Sequence, residues 1–411
     1  MTHGHVAAQV VLVLSWLLAL GWLWQAVAAL RGVPTLPDLT QMDALLPALP
    51  KSEGPGGAPD LTVIIPACNE EAAIQATLRS LLASTGLRLE VIAVDDRSTD
   101  RTGALMDEIE MEAVAAAAAR SASPHTLRVI HNRAVPAGWL GKPHAMHLAT
   151  LHATAPWLLC TDGDVAFDPR TLALGLRYAL SERADHVVLG LTLTLKTIGE
   201  AAMMAAMGAM SQWNIRLWKV ADPRARDFFG AGGFNLVRRA VLDQVGGFEA
   251  LRTEVLEDLR LGWKIKRAGF AQRVVLGPGL ARIRWLDGAF GVVGLVEKNG
   301  FALYRYRLGL ALLACFGMAV QALLPLVAMA FGGWALASGM LTYLSIAIVY
   351  LASRRIFQGS AWLVVFFAPA CAIVLYAVLR SIFLTLARGG VEWRGTRYPL
   401  DELRRNAGRG W

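Results

Sequence analysis

The chain has 411 residues, of which 55% are hydrophobic and 18% are charged, and its formal net charge is +8. This composition is too apolar for an ordinary soluble protein and predicts membrane-spanning segments. The basic residues form no stripe interleaved with aromatic residues, which argues against a nucleic-acid-binding protein. The four cysteines include no C-x-x-C pair, so neither a disulfide framework nor a zinc site is indicated.

The first predicted element is an apolar run over residues 6–30, which is long enough to span a bilayer as a helix. A cleaved signal peptide is the alternative, because Ala26-Val27-Ala28 resembles a small-residue cleavage site. The run is long for a signal peptide and no Lys or Arg precedes it, so we favour an N-terminal transmembrane anchor over residues 1–30. Arg31 then predicts that the following segment is cytoplasmic.

Residues 31–59 are rich in proline and glycine and are predicted to form a linker. Residues 60–290 are predicted to form a soluble α/β domain, because short β-branched runs alternate with helical patterns. The runs cover residues 62–65, 91–94 and 187–191, and one such helix is predicted over residues 70–82. This alternation predicts a mostly parallel sheet that is covered by helices and binds its ligand at the carboxyl ends of the strands.

Polar side chains follow the first two predicted strands. The first strand runs into Pro66, Asn69 and Glu70, and the second runs into Asp95 and Asp96. The proline is expected to end its strand, and the acidic residue after it to begin a helix. Carboxylates at a strand end can accept hydrogen bonds from a base N–H and from ribose hydroxyls. A plain strand-to-helix turn and an Asp-rich helix cap are the structural alternatives.

The next two candidate motifs carry a cation and a pair of carboxylates. Lys142 follows a glycine and supplies a positive charge for a phosphate or a base oxygen, although the spacing is not that of a phosphate-binding loop. Asp162 and Asp164 flank a glycine after another apolar strand. Oxygen ligands of this kind suit Mg²⁺ or Mn²⁺, whereas ordinary turn chemistry is the alternative.

A second acidic pair, Glu257 and Asp258, lies near the start of a helical pattern. Adjacent carboxylates repel and raise a proton affinity, which suits a general base that takes a proton from an alcohol. Favourable charge at a helix N-terminus is the alternative. Upstream of this pair, Gly232 and Gly233 belong to a glycine-rich segment that can line a sugar or acceptor pocket or form a flexible turn.

The C-terminal third is predicted to return to the membrane. Arg284 and Trp285 close the domain as a lid or as an interfacial anchor, and residues 291–307 are predicted to form an interfacial segment. Residues 308–387 are predicted to contain about three transmembrane helices, and residues 388–411 a basic tail. The predicted spans are 308–331, 334–352 and 361–387, with a kink at Pro369 in the third. Their exact number stays open, because three spans place two basic segments on opposite sides of the membrane.

Taken in order, these motifs resemble glycosyltransferase family 2, whose members have a GT-A fold, from residue 62 to about residue 285. The motifs that carry the resemblance are Pro66-x-x-Asn69-Glu70, Asp95-Asp96, Gly141-Lys142, Asp162-x-Asp164 and Glu257-Asp258. The flanking spans and residues 390–398 look like those of bacterial members that glycosylate carotenoids, hopanoids or other lipids. The resemblance therefore implies a GT-A catalytic domain, Rossmann-like and α/β, flanked by transmembrane helices.

The resemblance also implies roles for individual residues. Asp95 or Asp96 would hold the uridine, with the Pro66 turn and Lys142 completing the nucleotide-sugar site. Asp164, together with Asp162, would hold Mg²⁺ or Mn²⁺ on the UDP diphosphate. Asp258, next to Glu257, would be the catalytic base.

The implied activity is inverting transfer of a hexose from a UDP-sugar to a hydroxyl or carboxyl group of a membrane lipid. The implied location is the cell membrane, with several spans and a cytoplasmic catalytic domain. A processive polysaccharide synthase is one alternative, but residues 282–285 lack the glutamine of the Q-x-x-R-W motif that such enzymes carry. A non-catalytic membrane subunit that binds nucleotide-sugar is an alternative of another class. The sequence specifies neither the sugar, nor the acceptor, nor the oligomeric state.

Overall fold

The computed structural model describes residues 2–50, 57–118, 125–393 and 396–406. The chain divides into two compact units, called here the α/β unit and the helical unit. The α/β unit consists mainly of Pro37–Thr194 and Lys219–Arg284, and the helical unit of Met1–Leu36, Leu195–Trp218 and Trp285–Arg405. The observed units therefore differ from the predicted boundaries, because the α/β unit begins within the predicted linker and excludes Leu195–Trp218.

The strands within the described residues are short, and most belong to the α/β unit. In chain order they are β1 (Leu61–Ala67), β2 (Leu89–Asp96), β3 (Thr126–Asn132), β4 (Trp157–Cys160), β5 (Val165–Phe167), β6 (His186–Gly190), β7 (Thr192–Leu193), β8 (Asn235–Arg238), β9 (Gln272–Leu276), β10 (Ala281–Ile283), β11 (Gly390–Trp393) and β12 (Thr396–Pro399).

The helices fall into short amphipathic ones and long apolar ones. In chain order they are α1 (Thr2–Gly32), α2 (Leu39–Met42), α3 (Ile74–Leu82), α4 (Thr102–Ala118), α5 (Gly141–His152), α6 (Thr171–Ser181), α7 (Ile198–Ser211), α8 (Arg239–Gln244), α9 (Glu257–Arg267), α10 (Gly291–Leu303), α11 (Leu308–Phe331), α12 (Gly333–Ala352), α13 (Arg354–Phe357), α14 (Phe367–Ala387) and α15 (Leu400–Asn406). Single turns of 3₁₀ helix lie at Val33–Thr35, Leu217–Lys219 and Glu249–Leu251, and a longer one at Ala361–Phe366.

A mostly parallel sheet with strand order β3-β2-β1-β4-β8-β6-β9 forms the centre of the α/β unit. Its neighbouring strands are parallel except for β8, which runs antiparallel to both β4 and β6. Alternate residues of β1 enter two separate apolar cores, Val63 and Ile65 on one face and Ile64 on the other. Both faces are therefore buried, and the predicted α/β fold class with a parallel sheet is confirmed.

Pro66 does not end the first strand, contrary to the prediction. It lies inside β1 and is paired with Val94 of β2. The ladder between β1 and β4 stops at Ile64, whose carbonyl accepts the N–H of Thr161. Every second residue of a strand directs its backbone groups to the same neighbouring strand, so position 66 points to the β4 side, as Ile64 does. The ladder with β4 has already ended there, so no backbone N–H is required at position 66.

The part of the predicted linker that the structure describes packs on the α/β unit. Leu276 donates its N–H to the carbonyl of Pro37 at 2.7 Å, and Leu39 is fully buried in the larger core. The guanidinium of Arg177 donates to the carboxylate of Asp43 at 2.8 Å. Residues 37–50 are thus held by backbone and side-chain contacts with the rest of the α/β unit, while the glycines and the proline of residues 51–56 lie outside the described residues.

Among the described residues, four helical segments are long and apolar enough to cross a membrane: Val6–Thr35, Leu308–Phe331, Gly333–Ala352 and Ala361–Ala387. They coincide with the predicted N-terminal run and with the three predicted C-terminal spans. Helix α1 packs on α12, where the hydroxyl of Ser338 donates to that of Ser15 at 2.7 Å. The third C-terminal span begins with the 3₁₀ helix and continues as α14.

The structure places Pro369, the predicted kink residue, near the start of an α-helix. Pro369 is the third residue of α14, where a helix leaves the backbone N–H without an intrahelical partner in any case. Pro325 lies in the interior of the spanning helix α11. There Gly339 of α12 lies against the Pro325 carbonyl, since a β-carbon at Gly339 would be 2.6 Å from that oxygen.

The segments predicted to be interfacial and tail-like contain regular structure. Helix α10 packs on α14, where the hydroxyl of Ser381 donates to the carbonyl of Glu297 at 2.7 Å. The basic tail forms the antiparallel hairpin β11–β12 followed by α15, with Tyr398 and Leu403 buried. Residues 394–395 and 407–411 of the tail lie outside the described residues.

Candidate functional site

Asn69 and Glu70 hold the loop after β1 to the loop after β2. The carboxamide oxygen of Asn69 accepts the N–H of Thr99 at 2.8 Å, and its own N–H donates to the hydroxyl of Ser98 at 3.1 Å. The N–H of Glu70 donates to the hydroxyl of Thr102 at 2.7 Å. Asn69 has a φ of 57°, a left-handed conformation that asparagine tolerates well. These hydrogen bonds fix two adjacent strand ends in one arrangement.

Asp95 and Asp96 end β2 and are both buried. Asp95 accepts hydrogen bonds from Nδ1 of His131 at 3.0 Å and from the N–H of Ser98 at 3.2 Å. Asp96 accepts from the carboxamide of Asn132 at 2.8 Å and from the guanidinium of Arg97 at 3.0 Å. Each carboxylate is therefore oriented by neighbours before any ligand binds.

His131 and Asn132 were not identified from the sequence. They end β3, which lies beside β2, and the strand register pairs His131 with Asp95 and Asn132 with Asp96. The hydrogen bond to Asp95 raises the pKa of His131 above its ordinary value, and Asp107 at 2.9 Å adds to the effect against the opposing influence of burial. A prediction of β3 from the sequence would have revealed both residues as polar groups at a strand end.

Lys142 joins carboxylates from two distant parts of the chain. Its Nζ lies 2.7 Å from Asp162 and 2.6 Å from Glu257. Burial alone would lower the pKa of Lys142, but the charges of Asp162, Glu257 and Asp258 raise it above its ordinary value. The lysine therefore stays charged, and its two ion pairs define a cluster at the start of α5 and α9.

The Lys142 cluster adjoins the Asp95–Asp96 pair through the backbone of α5. Gly141 lies so close to Asp96 that a β-carbon at this position would overlap the carboxylate. Gly163, between the two aspartates of the D-x-D motif, lies near the side chain of Glu70. The structure thus brings most of the predicted site residues to the strand ends at one edge of the sheet.

Asp258 is the second residue of α9, beside Glu257 of the Lys142 cluster. Burial and the negative charge of Glu257 raise the pKa of Asp258 to about 7, although Lys142 and the N–H of Leu259 oppose the shift. The N–H of Leu259 donates to this carboxylate at 2.7 Å. An aspartate with such a pKa can gain or lose a proton near neutral pH, as a general base must.

Residues 62–260 match the family model described as glycosyl transferase family 2. The match begins in β1 and ends in α9, covers just under half of the chain, and includes Asp95, Lys142, Asp162 and Asp258. Residues 62–260 are thus similar to glycosyl transferase family 2 domains. The enzyme class of the chain is therefore that of a glycosyltransferase. No curated protein matches the chain.

Solved glycosyltransferase structures are similar to the chain at low sequence identity. One is the mannosyltransferase PcManGT from Pyrobaculum calidifontis in complex with GDP-Man and Mn²⁺, with 17% identity and a TM-score of 0.47 over 92% of this chain and 97% of that one. Another is residues 1–349 of TarS from S. aureus in complex with UDP, with 15% identity and a TM-score of 0.35 over 80% of this chain and 92% of that one.

The D-x-D motif of the glycosyl transferase family 2 domain offers a donor set that fits a divalent cation. Asp162 and Asp164 supply carboxylate oxygens, and Mg²⁺ is commonly held by one or two carboxylates together with substrate phosphates and water. Among the described residues, no group of three or more His, Cys, Asp or Glu side chains forms a metal cluster. A cation held by these two carboxylates would need further oxygen ligands from phosphates or water.

The residues predicted to form the acceptor side of the family 2 domain lie in different places. A β-carbon at Gly232 would overlap the carboxylate of Asp162, so this glycine borders the Lys142 cluster, whereas Gly233 packs on Leu191. Arg284 follows Ile283 of β10, which pairs with Val165 directly after Asp164. Trp285 belongs to the helical unit and is 42% exposed. The predicted lid role of Arg284 and Trp285 stays a prediction.

Proposed function

We propose that the protein is an inverting glycosyltransferase that moves a hexose from a UDP-sugar to a hydroxyl or carboxyl group of a membrane lipid. The observation that carries the proposal is the position of Asp258, whose pKa is raised to about 7 beside the Lys142 cluster. This carboxyl lies within the glycosyl transferase family 2 match. A base with this pKa is ionised in a large fraction of molecules near neutral pH and still binds a proton strongly enough to remove it from an alcohol.

In the proposed reaction, ionised Asp258 accepts the proton of the acceptor hydroxyl while the hydroxyl oxygen attacks the anomeric carbon. The bond from that carbon to the diphosphate breaks on the opposite face, which inverts the configuration and releases UDP. Glu257 acts through its charge, because it raises the proton affinity of Asp258 and binds Lys142. A carboxyl acceptor is already ionised near neutral pH and attacks without proton removal.

The donor side of the proposed site begins at Asp95 and Asp96, which would accept hydrogen bonds from the uridine. Asn69 and Glu70 shape the loop after β1, Pro66 lies near the end of that strand, and Lys142 would provide a positive charge toward the phosphates. Asp164 and Asp162 would hold Mg²⁺ or Mn²⁺. A bound cation would supply charge neutralisation for the departing diphosphate.

Asp164→Ala is expected to weaken the metal-dependent part of UDP binding by about 10-fold or more, because a carboxylate ligand to the cation is lost. Calorimetric titration of UDP with and without Mn²⁺ measures this difference without any catalytic turnover. Asp243→Ala is the matched control, since Asp243 is an exposed aspartate on α8 of the same unit. Equal metal-dependent affinity in Asp164→Ala and in the wild type would contradict the proposed metal site.

A membrane lipid is proposed as the acceptor because the same chain contains four segments that are long and apolar enough to span a bilayer. Arg31, in the last turn of α1, supports a cytoplasmic catalytic domain under the positive-inside rule, and several spans would place the protein in the cell membrane.

Incubation of the purified protein with labelled UDP-hexose and a lipid extract tests the proposal. We expect one sugar on each lipid product, with UDP released in equal amount, as determined by mass spectrometry. Long sugar chains would replace the proposal with a processive synthase. Absence of UDP release with every donor and lipid fraction would favour a non-catalytic nucleotide-sugar-binding subunit.

A further inference from the structure

Gln272 of β9 occupies the centre of a buried polar network that the proposed mechanism does not use. Its carboxamide oxygen accepts the N–H of Phe229 at 3.0 Å, and its Nε2 lies 3.0 Å from the carbonyl of the same residue. The same Nε2 lies 3.2 Å from the carbonyl of Gly262 in α9 and 2.7 Å from Nδ1 of His186. One side chain therefore contacts the loop that contains Phe229, helix α9 and strand β6.

The Phe229 N–H, which can meet only the amide oxygen, fixes the orientation of the Gln272 amide, and His186 then lies against its nitrogen. His186 is fully buried and pairs with Gln272 in the register of β6 and β9. Burial lowers the pKa of His186 to about 4, so the ring is neutral near neutral pH. Because Nδ1 accepts from the Gln272 amide, Nε2 carries the proton and donates to the carboxamide oxygen of Asn235.

The loop that Gln272 holds lies directly against α9. A β-carbon at Gly230 would overlap the carbonyl oxygen of Asp258, and one at Gly262 would overlap the carbonyl oxygen of Phe229. No side chain separates the loop from the first turns of the helix. A shift of Phe229 would therefore move the backbone that carries Asp258.

The same loop ends at the carboxylate on the other side of the site. Gly232 borders Asp162, and the carbonyl of Gly233 accepts the hydroxyl of Thr161 at 2.9 Å. The loop of residues 229–233 consequently lies between the general base and the D-x-D motif. Its position determines how much room separates these two carboxylates.

We propose that Gln272 is a positioning residue for the transfer reaction: its carboxamide holds residues 229–233 against α9 and so sets the separation between Asp162 and Asp258. The inference rests on the proposed role of Asp258. Gln272 lies behind the loop and acts through it. Its loss should affect the geometry of attack more than the binding of the donor, because misplacement of reacting groups by about 1 Å can cost about 100-fold in rate.

Gln272→Met and Gln272→Glu together test the proposal. Methionine keeps much of the volume and removes every hydrogen bond, while glutamate keeps the acceptor for the Phe229 N–H and loses the amide nitrogen, whose two N–H bonds are shared among the two carbonyls and His186. For both variants we expect kcat to fall about 10- to 100-fold, with the KM for the UDP-sugar and the calorimetric UDP affinity within about 3-fold of the wild type. An unchanged kcat in either folded variant would overturn the proposal.

Thr62→Val is the control for lost stability. Thr62 is a fully buried residue at the start of β1, far along the strand from the carboxyl ends, and its hydroxyl donates to Glu90 at 2.6 Å. A comparable loss of melting temperature without loss of kcat is expected. If Thr62→Val lowers kcat as much as Gln272→Met, the effect is general destabilisation and the proposal fails.

His186→Phe carries the test if neither Gln272 variant folds. It keeps a buried ring and removes one hydrogen-bond acceptor of the Gln272 amide, so kcat should fall about 3- to 10-fold with the KM preserved. An unchanged kcat would overturn the proposal. Asp258→Asn distinguishes the proposed base from the proposed positioning role. Full activity of Asp258→Asn refutes the base. If Asp258→Asn is inactive but the Gln272 and His186 variants are fully active, only the positioning role is refuted.

Discussion

Asp258→Asn is expected to reduce sugar transfer by about 10²- to 10⁴-fold, which is the usual contribution of a general base. Asparagine has nearly the same shape but cannot accept the proton of the acceptor hydroxyl. UDP affinity is expected to stay close to that of the wild type, because the nucleotide is assigned to Asp95, Asp96 and Lys142. The rate of UDP release during transfer to a lipid hydroxyl measures the first quantity, and calorimetric titration with UDP measures the second.

Loss of folding would not explain this result. The raised pKa of Asp258 means that its ionised form is less favourable in the folded protein than in the unfolded chain. The contribution of this group to the free energy of unfolding therefore falls as the pH rises from 3.8, the ordinary pKa of aspartate, to about 7. Asp258→Asn removes that charge and should melt no lower than the wild type at pH 8. Asp243→Asn, on the exposed surface of α8, is the matched control. Full activity of Asp258→Asn would reject the assignment.

The same carboxyl should give the enzyme an acid limb near pH 7. Below this pH Asp258 holds a proton and cannot accept another, so kcat for a hydroxyl acceptor should fall about 10-fold per pH unit well below the pKa. Above it the rate should reach a plateau. A rate that is constant between pH 5 and pH 8 would contradict a base with a raised pKa.

The sequence was sufficient for the features that depend on local pattern. The apolar helices follow from uninterrupted hydrophobic runs, and β1, β2 and the start of α9 follow from β-branched runs and acidic residues. Strand β8 has only the four residues Asn235–Arg238, and its place between β4 and β6 depends on pairing with residues far away in the chain. A local pattern therefore could not predict its antiparallel direction.

In the candidate site too, some residues follow from local pattern and others depend on contacts between distant parts of the chain. Asp162, Asp164 and Asp258 could be found because they follow apolar strands or begin a helix. The partners that set their chemistry could not, because the contact between Lys142 and Glu257 joins residues more than 100 positions apart. His131 and Gln272 also acquire their roles only through the register of β3 with β2 and of β9 with β6.

Lys142→Met is expected to cost about 3 kcal/mol or more in the free energy of unfolding of the α/β unit. The substitution keeps an unbranched side chain but leaves the Asp162 and Glu257 carboxylates close together without their common cation. Removal of one partner of a buried ion pair leaves an uncompensated charge, which costs far more than an exposed pair contributes. Urea unfolding in detergent, with Lys142→Arg as the charge-preserving control, measures the difference.

The double variant Lys142→Met/Glu257→Gln decides whether this cost is electrostatic. The neutral amide that Glu257→Gln introduces removes the repulsion that Lys142→Met creates, so the double variant should recover more than half of the lost stability. Transfer should not recover, because the charge proposed to face the phosphates is gone. The pKa of Asp258 should rise further in Lys142→Met, since Lys142 opposes the shift, and any residual activity should have its acid limb at higher pH. Equal stability of the single and double variants would mean that Lys142 contributes packing and that the ion pairs have no net effect on stability.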